Sequence, residues 1–199
     1  ERPYETGKVS MNLLAKNLAS QLTPTEDDLA MFGLGQGTPG AVTQMSRAMI
    51  TTMKAFSLGL TSMLIMRGFN NDPHGMFAGG NAQAAGVAGA MGKMLDGLYK
   101  LGKSLKDPSC SAKTLADAMV LSVSGDTFKQ TFDRNNWGDA TPGGANLLYV
   151  MGAGHVKSGW FGELTNANTV KAFDIATGNL SNTAYNTVRG QLSAAAGAA

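Results

Sequence analysis

The sequence contains a single cysteine, Cys110, among its 199 residues. A lone cysteine cannot form a disulfide within the chain, and a cysteine-rich metal site is excluded as well. Residues 107–111 around it have the composition of a polar turn. We therefore interpret Cys110 as a structural residue rather than as a nucleophile.

Charge and long apolar runs are also scarce. Charged residues make up 15% of the chain and the net charge is +2, with Lys and Arg scattered along it. This pattern argues against a nucleic-acid partner. No window reaches the roughly 18 consecutive apolar residues that a membrane-spanning helix needs.

The two ends lack the usual features of a complete exported chain. The start, Glu1 and Arg2, is charged and shows no signal peptide, and residues 194–199 stop within an alanine-rich, helix-like stretch. We expect the chain to be part of a longer polypeptide, whose remainder would be its partner.

What is abundant is apolar and small. Hydrophobic residues make up 43% of the sequence, with 26 glycines and 12 methionines. The length suits one domain, spanning residues 1–199, with a substantial core. Glycines permit tight loops, and methionines fill irregular gaps in a core.

Helical periodicity marks several segments. We predict helices over residues 10–22, 26–32, 41–57, 81–105 and 183–199, and a short helical stretch over 114–119, with Thr25 opening a capping box. In the third helix the inward residues would be Met45, Met49, Met53 and Phe56. In the long helix they would be Ala88, Met91, Leu95, Leu98 and Leu105. Lys93, Lys100 and Lys103 would be exposed.

Short apolar runs alternate with these helices. Residues 58–69, 119–123 and 147–151 are predicted strands, the first of them buried. Alternation of helix and strand is typical of an α/β fold with a parallel sheet flanked by helices.

Polar residues follow each predicted strand. Asp72 and His74 come after the first, Asp126 and Asp139 after the second, and His155 after the third. In open parallel sheets, ligands bind at the carboxyl ends of the strands. Carboxylates with imidazoles would suit a divalent metal such as zinc, manganese or calcium. Each aspartate is also an ordinary turn residue, and His155 could simply cap its strand by hydrogen-bonding a carbonyl.

Several stretches carry a family resemblance. Residues 54–62, 71–77, 121–127, 137–139 and 152–160 together resemble a bacterial domain-of-unknown-function family placed with the alkaline phosphatases and sulfatases. The resemblance implies the C-terminal part of an alkaline-phosphatase-like α/β domain, exported to the periplasm or the cell exterior. It also implies metal-dependent hydrolysis of phosphate or sulfate esters.

The sequence departs from that family at functional positions. Ala140 stands where the family often has a metal-binding histidine, and the nucleophile of the superfamily would precede this chain. Three hypotheses follow: a non-catalytic relative kept for binding or assembly, a metal-dependent ester hydrolase, and a structural subunit of an extracellular assembly or homo-oligomer. The sequence favours the first.

Overall fold

A computed structural model describes residues 17–36, 38–68, 81–124, 148–152, 154–156, 158–164, 170–171, 173–174, 177 and 179–180. The chain divides into two compact units. The first comprises Glu1–Asn70 and Ala88–Ala116, and the second comprises Asn71–Val87 and Asp117–Ala199. The predicted helix over residues 183–199 lies outside the described residues.

The described residues of the first unit begin with three helices, α1 (Leu18–Leu22), α2 (Glu26–Met31) and α3 (Gly40–Ser57). The predicted capping box at the start of α2 is confirmed. The Thr25 side chain accepts a hydrogen bond from the Asp28 amide, and the Asp28 carboxylate accepts one from the Thr25 amide. These bonds satisfy amides that have no partner within the helix. The α1 prediction is confirmed over Leu18–Leu22, while residues 10–16 lie outside the described part.

The long helix α4 spans Asn81–Ser104, close to the predicted 81–105, and a short helix, α5, spans Leu115–Ala118. Lys93, Lys100 and Lys103 are exposed on α4, as predicted. No helix within the described ranges combines the length and the apolar content needed to cross a membrane.

Helices α3 and α4 supply most of the core of the first unit. Its buried apolar side chains are Leu29, Phe32, Val42, Ile50, Met53, Met94, Leu98, Leu101, Leu115 and Ala116. The inward face of α3 is the row Val42, Ser46, Ile50 and Met53. The predicted row was wrong in part, since Met45, Met49 and Phe56 are only half-buried. Two such rows lie about 60° apart around a helix, so packing against neighbours decides which row is buried.

The inward face of α4 differs from the prediction in the same way. Met94, Leu98 and Leu101 are buried, whereas Ala88 is exposed. Of the remaining predicted core positions, Met91, Leu95 and Leu105 are half-buried. The face is rotated by roughly one residue, so that Met94 rather than Leu95 reaches the core.

A glycine allows α4 to approach the end of α2 closely. A Cβ atom at Gly97 would lie 2.7 Å from the Cα atom of Phe32. Real Cβ atoms essentially never come so close to another backbone atom, so only glycine fits this contact. Phe32 is buried over Gly97 as a result.

Strands in the described residues form three antiparallel pairs. Strand β1 (Lys106–Asp107) pairs with β2 (Cys110–Thr114), β3 (Leu121–Ser124) with β4 (Leu148–Met151), and β5 (Glu163–Leu164) with β6 (Val170–Lys171). Strands at β3 and β4 were predicted, but the predicted parallel sheet flanked by helices is wrong.

The reason for this error lies in the first predicted strand. Residues 60–68 are neither helix nor strand, so the apolar run that was to form a buried central strand pairs with nothing in the described part of the chain. Parallel pairing needs a crossover that returns the chain to the same sheet edge. With residues 60–68 outside any sheet, α3 packs instead on α1, on α2 and on the short strand β1.

Candidate functional site

Four of the five predicted metal ligands, Asp72, His74, Asp126 and Asp139, lie outside the described residues. His155 is the fifth, and it lies in the turn that follows β4. The metal site as a whole therefore stays a prediction. The described residues give the surroundings of His155 and the pairing of the strands that were predicted to place the aspartates near it.

His155 is held by two hydrogen bonds within the second unit. Its amide donates to the carbonyl oxygen of Gly152 at 3.2 Å, which closes a turn. Its ring atom Nε2 lies 2.9 Å from the carbonyl oxygen of Asp117 in α5. A carbonyl oxygen can only accept, so Nε2 carries a proton and donates it here, and the neutral tautomer that fits this bond has its lone pair on Nδ1. The hydrogen bond to a carbonyl that the structural interpretation of His155 required is present, with the Asp117 carbonyl of α5 as its acceptor.

This hydrogen bond fits either a structural histidine or a metal ligand. Histidines that bind metals commonly donate the other ring N–H to a backbone carbonyl, which orients the ring. Nδ1 of His155 could coordinate an ion in this tautomer. Among the residues that the structure describes, however, no group of three or more His, Cys, Asp or Glu side chains could complete the site.

The pairing of β3 with β4 removes the reason for expecting Asp126 near His155. Ser124 is opposite Leu148, and Met151 is opposite Leu121. The chain thus leaves β3 at one end of the pair and leaves β4 at the other, with three residue steps, or about 10 Å, between the two ends. Parallel strands would have placed both exits at one edge.

Lys54 and Asp28 form a nearly buried ion pair that holds two helices together. The Lys54 ammonium lies 2.6 Å from the Asp28 carboxylate, and both side chains are almost buried. The same ammonium donates to the carbonyl oxygen of Thr23 at 2.8 Å. Burial alone raises the pKa of Asp28, but hydrogen bonds from Lys54 and Thr25 outweigh it and hold the pKa below its ordinary value. The cluster ties α2 to α3 and presents no free group to a ligand.

Sequence reasoning missed one exposed feature, which we call the apolar segment (residues 61–66). Met63 is 70% exposed, Leu64 43% and Ile65 86%, and Met66 is half-buried. The segment was predicted to be buried because its composition is apolar. The signal that could have identified it is the lack of any charge from Leu58 to Met66, which suits an uncovered strand edge as well as a buried strand.

The chain matches no protein-family model, no curated protein and no solved structure. The resemblance to the alkaline phosphatase and sulfatase superfamily therefore stays a prediction, as do the export and the hydrolysis that it implies.

Proposed function

We propose that this chain is a binding or assembly module whose contact surface is the apolar segment. The observation that carries the proposal is the exposure of Met63 and Ile65, at 70% and 86%. Burying one such side chain is worth about 1.5–3 kcal/mol, so leaving two neighbours in water forgoes a substantial stabilisation. Apolar side chains that cluster on a surface commonly mark an interaction site.

The surroundings of the segment support this interpretation. Leu58, at the C-terminal end of α3, is also exposed, which extends the apolar surface toward the helix. Ser57, Thr61 and Ser62 are small and uncharged, so a partner approaching this surface would not have to desolvate a charge there.

The hydrolase hypothesis has less support from the described residues. The only predicted ligand among them is His155, and its hydrogen bond to the Asp117 carbonyl fits either role, so it does not favour a metal site. The antiparallel pairing of β3 and β4 sends the chain segments that precede Asp126 and His155 in opposite directions. A binding role needs neither ligand.

Two measurements test the proposal. First, the wild-type chain is titrated with a fluorescent dye that brightens on apolar surfaces, beside Ile65→Ser and the control Val120→Ser, which also replaces an exposed apolar side chain. We expect the Ile65 variant to lose dye binding or self-association, and the control to keep both. A wild-type chain that neither binds dye nor associates would overturn the proposal.

The second measurement addresses the hydrolase directly. Phosphate and sulfate esters are assayed with added zinc or manganese, using the full-length protein as the wild type beside its Asp72→Ala and His74→Ala variants. The binding module predicts the same background rate in all three. Metal-dependent hydrolysis that both substitutions abolish would replace the module with an enzyme.

A further inference from the structure

We propose that the chain carries a cleavage site, after Met63 or Leu64, for an endoprotease with an apolar S1 subsite, and that the two pieces stay together after the cut. The S1 subsite is the pocket that takes the side chain before the cut bond. Hydrolysis breaks one peptide C–N bond, and water supplies the oxygen of the new carboxylate and a proton to the new amino group. The inference does not depend on the binding module.

The backbone at the cleavage site can be bound by a protease without unfolding a helix or a sheet. Proteolytic nicking is favoured where the backbone is exposed and makes few hydrogen bonds of its own. Residues 63–68 contain no helix, strand, turn or bend. Within the described chain, no backbone–backbone hydrogen bond involves residues 62–66, and the Met63 carbonyl accepts only locally, from the Thr61 hydroxyl at 3.1 Å.

The side chains at the cleavage site suit an apolar S1 subsite, such as the hydrophobic slot of chymotrypsin. Met63 is 70% exposed and Leu64 is 43% exposed, so neither has to be drawn out of the core to enter such a pocket. Leu98 and Leu101 offer the same chemistry within α4, but they are only 5% and 1% exposed. Exposure and backbone bonding, rather than residue type, therefore distinguish the cleavage site from the helix.

The core of the first unit is built from residues on both sides of the cleavage site. Its buried apolar residues before the site are Leu29, Phe32, Val42, Ile50 and Met53, and those after it are Met94, Leu98, Leu101, Leu115 and Ala116. The two sides lie in close contact, because a Cβ atom at Gly97 would be 2.7 Å from the Phe32 Cα atom and one at Gly102 would be 3.2 Å from the Met53 methyl group. Apolar burial holds separate chains together as it holds one chain. The cut chain should therefore remain a complex of two pieces.

Limited digestion of the folded chain with chymotrypsin tests the cleavage site. The cuts after Met63, Leu64, Leu98 and Leu101 are followed separately by the masses of the pieces. We expect the cuts after Met63 or Leu64 to form at least about tenfold faster than those after Leu98 or Leu101, which need α4 to open first. Equal rates at the two places would overturn the cleavage site.

A double variant, Leu64→Pro with Ile65→Pro, provides the control. Proline would follow Met63, which removes the N–H of that bond, and Leu64 would no longer supply an S1 side chain. The fold should tolerate both prolines, since these amides make no backbone hydrogen bond within the described chain and neither residue has a positive φ. Far-UV circular dichroism checks that the variant is folded. A folded variant that is still cut at this place as fast as the wild type would contradict the assignment.

Size-exclusion chromatography of the digested wild type tests whether the pieces stay together. We expect the piece that ends at Met63 or Leu64 to elute with the piece that contains α4, and the two to separate in concentrated urea. Separate elution in buffer without urea would overturn the retained complex.

Discussion

Lys54 joins three parts of the first unit through a single ammonium group. It lies 2.6 Å from the Asp28 carboxylate and donates to the Thr23 carbonyl, so it links α3 to α2 and to the turn before it. Asp28 in turn caps its own helix by accepting from the Thr25 amide at 2.7 Å. One carboxylate thus supports both a helix terminus and an interhelical contact.

The first prediction is a dependence of stability on pH that originates at Asp28. Its pKa in the folded chain lies below the ordinary value of about 3.9, so the unfolded chain binds the proton more readily. The stabilisation is therefore fully present above about pH 4 and is lost as the pH falls through the lower, folded-state pKa. Urea unfolding of wild type and Asp28→Asn from neutral to acid pH should show the difference in unfolding free energy shrinking as the carboxylate protonates. Asp27→Asn, on the same helix turn, is the control. A difference that is constant with pH would contradict the assignment.

The second prediction concerns Ser46, a fully buried residue whose hydroxyl has no hydrogen-bond partner among the described residues. Burying an unpaired hydroxyl costs about 1–3 kcal/mol, so Ser46→Ala should stabilise the chain by about 1 kcal/mol. Ser57→Ala is the matched control on the same helix, because the Ser57 hydroxyl donates to the Lys54 carbonyl at 2.8 Å. Both substitutions replace a serine of α3 by alanine, one without and one with a hydrogen-bond partner, and chemical denaturation compares their unfolding free energies. Equal effects of the two would show that Ser46 has a partner.

At the scale of elements, the contact between α4 and Phe32 depends on one missing side chain. The third prediction is that Gly97→Ala destabilises the chain by about 1–3 kcal/mol, since its Cβ would meet the Phe32 Cα atom at 2.7 Å and backbone must move. Gly92→Ala, in the same helix with open space at its Cβ position, should instead stabilise by up to about 1 kcal/mol. Thermal unfolding of both variants gives the comparison. A neutral Gly97→Ala would mean that the helix does not approach Phe32 so closely.

The fourth prediction tests the inward face of α4. Met94 is 2% exposed, so Met94→Ala should cost about 2–5 kcal/mol through lost burial and a cavity. Leu95 is half-buried and should cost clearly less on replacement by alanine, which corrects the prediction made from the sequence. Urea unfolding of the two variants ranks them. The opposite order would restore the face that periodicity indicated.

Hydrophobic periodicity predicts some of these elements correctly, but it does not predict which helix face is buried or how the strands pair. The long helix α4, the cap at Thr25 and the strands at β3 and β4 follow from local residue patterns, and all are present. The buried face of each helix does not follow from the local pattern, because α3 and α4 carry apolar residues on two adjacent rows. The pairing of the strands is non-local, and hydrophobicity alone did not reveal that Met63 and Ile65 are exposed. Of the candidate site, only His155 falls among the described residues. A hydrogen bond to a carbonyl was foreseen for it as an alternative, but Asp117 as its partner was not.

At the scale of the whole molecule, buried apolar side chains are described in both units. Ten buried apolar residues belong to the first unit, whereas Phe173 is the one buried apolar residue of the second among those described. Phe173 packs against Phe161, with ring centroids 5.5 Å apart. Units with separate cores need not unfold together.

The fifth prediction is that two probes of unfolding will disagree. Both tryptophans of the chain, Trp137 and Trp160, belong to the second unit, whereas most of the described helical residues belong to the first. The urea midpoints followed by tryptophan fluorescence and by circular dichroism at 222 nm should therefore differ. Trp160→Phe, with Trp137 retained, checks which signal is lost. Coincident transitions would show that the two units unfold as one.

The different exposure of the methionines makes their oxidation rates a measure of how often the core opens. Met63 is 70% exposed, while Met53 and Met94 are each 2% exposed. Peroxide converts a reachable thioether to a polar sulfoxide, so Met63 is oxidised from the folded state. Met53 and Met94 can react only when the core opens to the oxidant, so their rate of oxidation reports how often it does. When the oxidation of each methionine is followed separately in one mild peroxide treatment, Met63 should thus react first. The slower rates of Met53 and Met94 should give the frequency with which the core opens.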